Sequence, residues 1–209
     1  MSQDSRPDVD AEDPRQVWAA RSGEFSPEYY AYYGPNEVSE LLVDRLDEHV
    51  GRNGSVLELG CSAGRHLARL RETGYEDLSG LDVNPEAFDV MARTYPELAA
   101  RVDTHVGTIG DLLPSFATDR YDAIFAVETF QHLPPDEDDV FRELRRVAGE
   151  LVITVEIEGD RDGDVTYVDD GIPLYHRDWR AVLQPAGFEQ IDSTEVGKDT
   201  LRVFDPGTR

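Results

Sequence analysis

Two hydrophobic periods alternate along this chain. Short apolar runs at residues 55–59, 78–82, 102–106, 121–127 and 151–157 have the length of strands. The fourth is unbroken from Ala123 to Val127, which suits a strand covered on both faces. The intervening segments carry apolar residues at helical spacing. Val38, Leu41, Leu42, Leu46 and Val50 share one face of a helix that Asn36 caps and Gly51 stops. Leu67 and Leu70 mark a second helix over residues 64–73, ended by Gly74. Beyond Asp82, Asn84 caps a third helix, with Pro85 where a proline costs no hydrogen bond. Pro134 and Pro135 introduce a fourth. Asp136, Glu137, Asp138 and Asp139 favour its positive end, Arg142, Arg145 and Arg146 its negative end, and Gly149 terminates it. An acidic loop over residues 158–172 leads to a helix near 177–186. Runs at 188–196 and 199–204, joined by Gly197 and Lys198, then read as a hairpin. Strand and helix alternate, so the expected class is α/β.

A chain of 209 residues suits one such domain. Residues 1–13 are polar and acidic and are expected to form a disordered tail. Residues 14–51 are expected to form an N-terminal helical cap, because Trp18, Phe25, Tyr29, Tyr30, Tyr32 and Tyr33 are too many aromatics for a free linker. Residues 52–209 then form the ligand-binding domain. No apolar run approaches the roughly 18 residues of a membrane span, and the N-terminus is unlike a signal peptide, so a cytoplasmic protein with no membrane partner is expected.

Charge narrows the choice of partner. The formal net charge is −24, from 44 acids against 20 bases, and Lys198 is the one lysine. Such a coat repels nucleic acid phosphates, so a small-molecule substrate is expected. It suits a salty cytoplasm, where repulsion is screened. Cys61, the single cysteine, has no partner for an intramolecular disulfide, and packing accounts for it. Nothing in the pattern specifies an oligomeric state.

The most informative stretch is VLELGCSAG, residues 56–64, where a buried strand breaks into a turn of small residues. Glu58 is an acid at the strand's end, and Gly60 and Gly64 let backbone crowd a ligand. A second acid, Asp82, ends the next strand at the edge where open α/β sheets bind ligands. A dinucleotide turn needs G-x-G-x-x-G, but counted from Gly60 the later glycine positions hold Ser62 and Arg65.

The segment resembles motif I of class I S-adenosylmethionine-dependent methyltransferases, (D/E)-x-G-x-G-x-G, through Glu58, Gly60 and Gly64, with Ser62 replacing the middle glycine. Asp82 stands at that family's ribose-binding acid, and YDAIFAVETFQHLP, residues 121–134, is similar to its fourth-strand region. The resemblance spans roughly residues 39–204. It implies a three-layer Rossmann-like sandwich with a seven-stranded, mostly parallel sheet, last strand antiparallel, plus the N-terminal helical and aromatic extension. It also implies S-adenosyl-L-methionine as cofactor, held by Glu58, Gly60, Cys61, Ser62, Gly64, Arg65, Asp82, Val83, Thr108, Ile109 and Glu128. In this reading Glu58 and Gly60 lie along the methionine part. Asp82 accepts from both ribose hydroxyls, Val83 packs on adenine, and Thr108 and Ile109 stand where many members have Gly-Asp-Ala beside the base. Arg65 and His66 open the following helix within reach of the cofactor carboxylate.

His132 is the candidate general base, since a neutral imidazole takes a proton from an attacking hydroxyl or amine. The aromatic N-terminal segment and residues 173–179 are the candidates for substrate recognition, with Tyr33, Glu156, Tyr175 and His176 for a pocket over the fifth strand. His66, His105 and His132 show no metal-ligand spacing, and no structural metal is expected. The resulting expectation is a methyltransferase acting on a small molecule or sugar-like metabolite. A non-catalytic module sensing S-adenosylmethionine or S-adenosylhomocysteine keeps every motif above. A NAD-dependent oxidoreductase lacks the third glycine, and with Lys198 the one lysine it has no Tyr-x-x-x-Lys.

The acidic coat generates a direct test. Between about 0.1 M and about 1 M KCl the Debye length falls from roughly 10 Å to roughly 3 Å. The thermal unfolding midpoint should rise across that range, and indifference to salt would remove the salt-adaptation reading.

Overall fold

The computed structural model describes residues 13–159, 163–168 and 171–207, so all of the expected acidic tail except Asp13 lies outside the described residues. Three capped helices precede the sheet. α1 (Pro14–Ala19) and α2 (Pro27–Tyr33) begin with proline after the capping side chains of Asp13 and Ser26. α3 (Glu37–His49) is closed by a reciprocal cap in which Ser39 N–H donates to Asn36 Oδ1 and Asn36 N–H donates to Ser39 Oγ. There follow β1 (Val56–Leu59), α4 (Arg65–Thr73), β2 (Leu78–Asp82), α5 (Glu86–Thr94), α6 (Pro96–Ala99), β3 (Asp103–Val106), α7 (Ile109–Leu112), β4 (Tyr121–Val127), α8 (Val140–Val147) and β5 (Ala148–Ile157). The remainder is β6 (Asp164–Val168), β7 (Ile172–His176), α9 (Trp179–Leu183), β8 (Glu189–Val196) and β9 (Asp199–Asp205).

Seven strands form one sheet in the order β3-β2-β1-β4-β5-β9-β8, parallel from β3 through β5, with β9 antiparallel to both neighbours. The chain winds outward from β1 to β3, then returns to place β4 on the other side of β1. This reversal puts a crevice at the C-terminal ends of β1 and β4. Alternate residues of β4 serve opposite cores: Ala123 and Phe125 pack with Leu42, Leu46, Leu67 and Met91, while Ile124 and Ala126 pack with Phe141, Leu144 and Trp179. Helices therefore cover both faces, as the unbroken apolar run of β4 requires.

Several boundaries differ from the sequence reading. The helix after Pro134 begins only at Val140, because Pro135–Glu137 forms a separate 3-10 turn. It ends at Val147, where Ala148 turns extended and pairs with Tyr121; strand pairing thus places Gly149 inside β5 instead of at a helix end. The expected acidic loop contains β6, which pairs antiparallel with β7 in a small second sheet. Its residues are mostly exposed, so it has no buried apolar face to announce it. The helix expected near 177–186 is α9 plus a 3-10 turn, Gln184–Ala186.

Candidate functional site

A cavity of about 240 Å³ opens at the C-terminal ends of β1, β2 and β4. The turn after β1 forms its floor. Gly60 and Cys61 both donate their N–H to Leu81 O, at 2.8 and 2.9 Å, which ties the turn to β2. Gly60 has φ +70°, and a Cβ there would lie 2.3 Å from Thr129 Oγ1, so only glycine fits. Ser62 also adopts a left-handed conformation, φ +50°, held by its N–H bond of 2.7 Å to Asp82 Oδ2. Cys61 packs against Gly80, where a Cβ would approach its Sγ to 2.8 Å, and burial pushes its thiol pKa well up.

Three acids border the cavity. Glu58 is 1 % exposed, and its Oε2 has no hydrogen-bond partner. Burial drives its pKa well above the carboxylate range, the nearby Asp82 adds to this, and Arg65 and the Leu67 N–H oppose it. Asp82 accepts from Ser62 N–H on Oδ2 and from Asn84 N–H on Oδ1 at 2.8 Å. Burial raises its pKa against these bonds. Glu128 has φ +49° and pairs with Lys198 Nζ at 2.8 Å.

The opposite wall comes from α1, α2 and the segment that joins them. Trp18, Arg21, Phe25 and Tyr30 line it, and the Arg65 guanidinium lies over the Tyr30 ring at 4.8 Å. Trp18 stands edge-on to His132, ring centroids 4.7 Å apart, and Trp18 Nε1 and His132 Nδ1 are both buried without partners. Burial pushes the His132 pKa down to about 4, against the Pro173 backbone and Glu128, so the ring is neutral at pH 7. His66 lines the cavity beside Arg65: its Nδ1 lies 2.8 Å from Ser39 Oγ, Arg65 Nε donates to its Nε2, and burial keeps it neutral.

The structure brings together Glu58, Gly60, Cys61, Ser62, Arg65, Asp82, Val83, Thr108, Ile109, Glu128 and His132 around this cavity. Gly64 is not among the lining residues. It starts α4 at φ +76°, where a Cβ would strike Met91 Cε at 2.6 Å, so its role is packing. The four substrate candidates also lie outside the lining. Tyr33 is 61 % exposed and packs on Tyr29 and Tyr32. His176 Nε2 lies 2.6 Å from Thr166 Oγ1 within the small sheet, and Tyr175 is its neighbour on β7. That sheet reaches the cavity instead through Val168 and Leu174, and Tyr175, one residue on, faces the other way. Glu156 is fully buried beneath the turn after β4, where it accepts N–H bonds from Thr129, Phe130 and Gln131. Burial pushes its pKa up to about 8 against those three bonds.

Sequence reasoning did not assign Lys198 to the site, and it offered the segments that hold Trp18, Phe25 and Leu174 for substrate recognition without singling those residues out. The aromatic density of residues 18–33 and the solitary lysine were the available signals. Among the described residues, no group of three or more His, Cys, Asp or Glu could hold a metal ion.

The family described as a methyltransferase domain matches residues 56–150, the span from β1 into β5. Methyltransferase GfsG of Streptomyces halstedii is 31 % identical over 177 residues, covering 78 % of this chain and 62 % of that protein. Residues 56–150 thus match a methyltransferase domain, and the fold is that of class I S-adenosylmethionine-dependent methyltransferases. A tRNA U34 carboxymethyltransferase of Shewanella halifaxensis is 31 % identical over 131 residues, 59 % of this chain and 39 % of that enzyme. The chain thus spans less than two thirds of the length of either relative. Among solved structures, the 1,6-didemethyltoxoflavin-N1-methyltransferase of Burkholderia thailandensis superposes with a TM-score of 0.66 at 18 % identity, covering 81 % of this chain and 78 % of that one, which establishes the shared fold.

The buried environment of His132 is measurable. Ring resonances assigned to His132 by NMR should stay those of neutral imidazole from pH 7 to about 5.5, where a free histidine takes up its proton. A midpoint near the ordinary value of 6.5 would contradict the burial of the ring against Trp18.

Proposed function

We propose that this protein binds S-adenosyl-L-methionine in the cavity above β1, β2 and β4 and transfers its methyl group to a small molecule. The observation that carries the reading is the buried, unpartnered Oε2 of Glu58 beside Asp82 in one cavity. A buried acid lacking a partner is costly, and a ligand that donates hydrogen bonds or carries positive charge relieves it. The residues present fit such a ligand. Asp82 retains lone pairs on both oxygens for a ribose diol. Val83 and Ile109 offer apolar surface to a base. The Thr108 hydroxyl is already engaged with Asp111, so backbone groups of that loop would serve the exocyclic amine. Glu58 and Glu128 face the cationic groups of the donor's methionine end.

S-adenosylmethionine supplies an activated methyl group when bound, which leaves positioning and exclusion of water to the protein. His132 Nδ1 orients an attacking hydroxyl or amine and accepts its proton; the low pKa makes it a hydrogen-bond acceptor first and a base second. Residues 14–51 act as a cap, with Trp18, Phe25 and Tyr30 closing the acceptor side. The net charge of −24 favours a small acceptor over a polyphosphate such as tRNA. Among the described residues no helix is long and apolar enough to cross a membrane.

Calorimetric titration in molar KCl tests the reading. S-adenosylmethionine and S-adenosylhomocysteine should bind, NAD should not, and Asp82→Asn should weaken both sulfur nucleosides by about tenfold, roughly 1.4 kcal/mol. Binding of NAD with silence toward both nucleosides would overturn it. Incubation with labelled donor and a metabolite extract then separates enzyme from sensor.

A further inference from the structure

Glu156 and Gln131 form a closed hydrogen-bonded clamp that the proposed chemistry does not use. Glu156 Oε1 accepts from Thr129 N–H at 3.1 Å and Phe130 N–H at 2.9 Å, and Oε2 accepts from Gln131 N–H at 3.1 Å. In return Gln131 Oε1 accepts from Ile157 N–H at 3.1 Å. Both side chains are buried, at 0 % and 4 % exposure. Four bonds thus bind the turn after β4 to the end of β5. All three protein partners of the Glu156 carboxylate are donors, an arrangement that suits its charged form.

The clamped turn holds much of one side of the cavity. Glu128 immediately precedes it, at φ +49°, and Gln131 and His132 line the cavity from it. Thr129 donates its hydroxyl to Leu59 O at 3.2 Å and Val127 O at 3.0 Å, and sits against Gly60 where no Cβ fits. A shift of this turn moves the acid at the methionine end and the glycine turn together. The adenosine end, around Asp82, Val83 and Ile109, is built from β2 and the β3–α7 loop, and the clamp reaches it only indirectly, through the N–H bonds of the Gly60–Ser62 turn to Leu81 O and Asp82 Oδ2.

We infer that Glu156 is a positioning residue for the amino-acid half of the methyl-donor site, acting through the Thr129–Gln131 turn. The inference rests on the donor reading above. It predicts a split between two nucleosides that differ in that half: S-adenosylhomocysteine, which carries it, and 5′-methylthioadenosine, which lacks it.

The test is calorimetry of both probes on the full chain carrying Glu156→Gln. The carboxamide keeps one acceptor oxygen but sets an NH₂ donor against a turn N–H. S-adenosylhomocysteine should weaken by about tenfold or more, and 5′-methylthioadenosine by less than about twofold. Leu46→Ala, a core truncation away from the cavity, should lower the melting temperature while leaving both affinities unchanged. If Glu156→Gln does not fold, Gln131→Met, which removes the return bond to Ile157, should show the same split at about threefold or more. Unchanged S-adenosylhomocysteine affinity, or equal weakening of both probes, overturns the positioning role. Failure of the wild-type chain to bind either nucleoside overturns the donor reading and this inference with it.

Discussion

At the edge of the parallel sheet, the turn leaving β1 and the turn leaving β4 meet at Gly60 and Thr129 with no room for a side chain between them. That contact depends on a left-handed backbone at Gly60, on the Thr129 hydroxyl reaching back to Leu59 O, and on both turns being anchored from outside. Leu81 O anchors the first through two N–H bonds, and Glu156 anchors the second through three. The cavity exists because these anchored turns diverge above the contact. Its floor is therefore backbone held in strained conformations at Ser62 and Glu128, the kind of geometry that persists only where surrounding bonds enforce it.

Three acids at this edge, Glu156, Asp82 and Glu58, have pKa values raised by burial, and they form a graded series in how the protein satisfies them. Glu156 has three backbone donors and no contact with the cavity, so it serves the scaffold. Asp82 has a backbone donor on each oxygen and faces the cavity, so it is fixed in orientation yet open to a ligand. Glu58 has an oxygen with none. Unmet acceptor capacity increases toward the place where the proposed donor carries its positive charge. Burying an acid without partners costs stability, and at Glu58 the proposed ligand would supply the missing compensation.

The sequence revealed those features that local backbone geometry imposes on residue type. Gly60 and Asp82 were readable because a tight turn at a strand tip demands a glycine and because an acid at that tip faces the crevice. The succession of strands and helices along the chain followed from the alternating periods, and the seven-stranded sheet with its antiparallel last strand from the family resemblance. Features that depend on strand phase or on contacts distant in sequence were not readable. Glu156 looked like a pocket acid because it ends a strand beside the site, yet the pleat turns it beneath the β4 turn. Gly64 matched the motif, but its lack of a side chain makes room for Met91 from another helix. Tyr175 and Leu174 are adjacent in sequence, and only the pairing of β7 with an exposed β6 decides which one lines the cavity.

The central claim is that the crevice between the β1 and β4 turns is the seat of an adenosine-bearing methyl donor. A crystal structure of the protein grown with S-adenosylhomocysteine measures this most directly. The account predicts the ribose hydroxyls within hydrogen-bond distance of Asp82 and the amino-acid half lying between Glu58 and Glu128. A nucleoside lodged elsewhere, or a crevice that stays closed by Trp18 and the β4 turn while the ligand is bound, would contradict it.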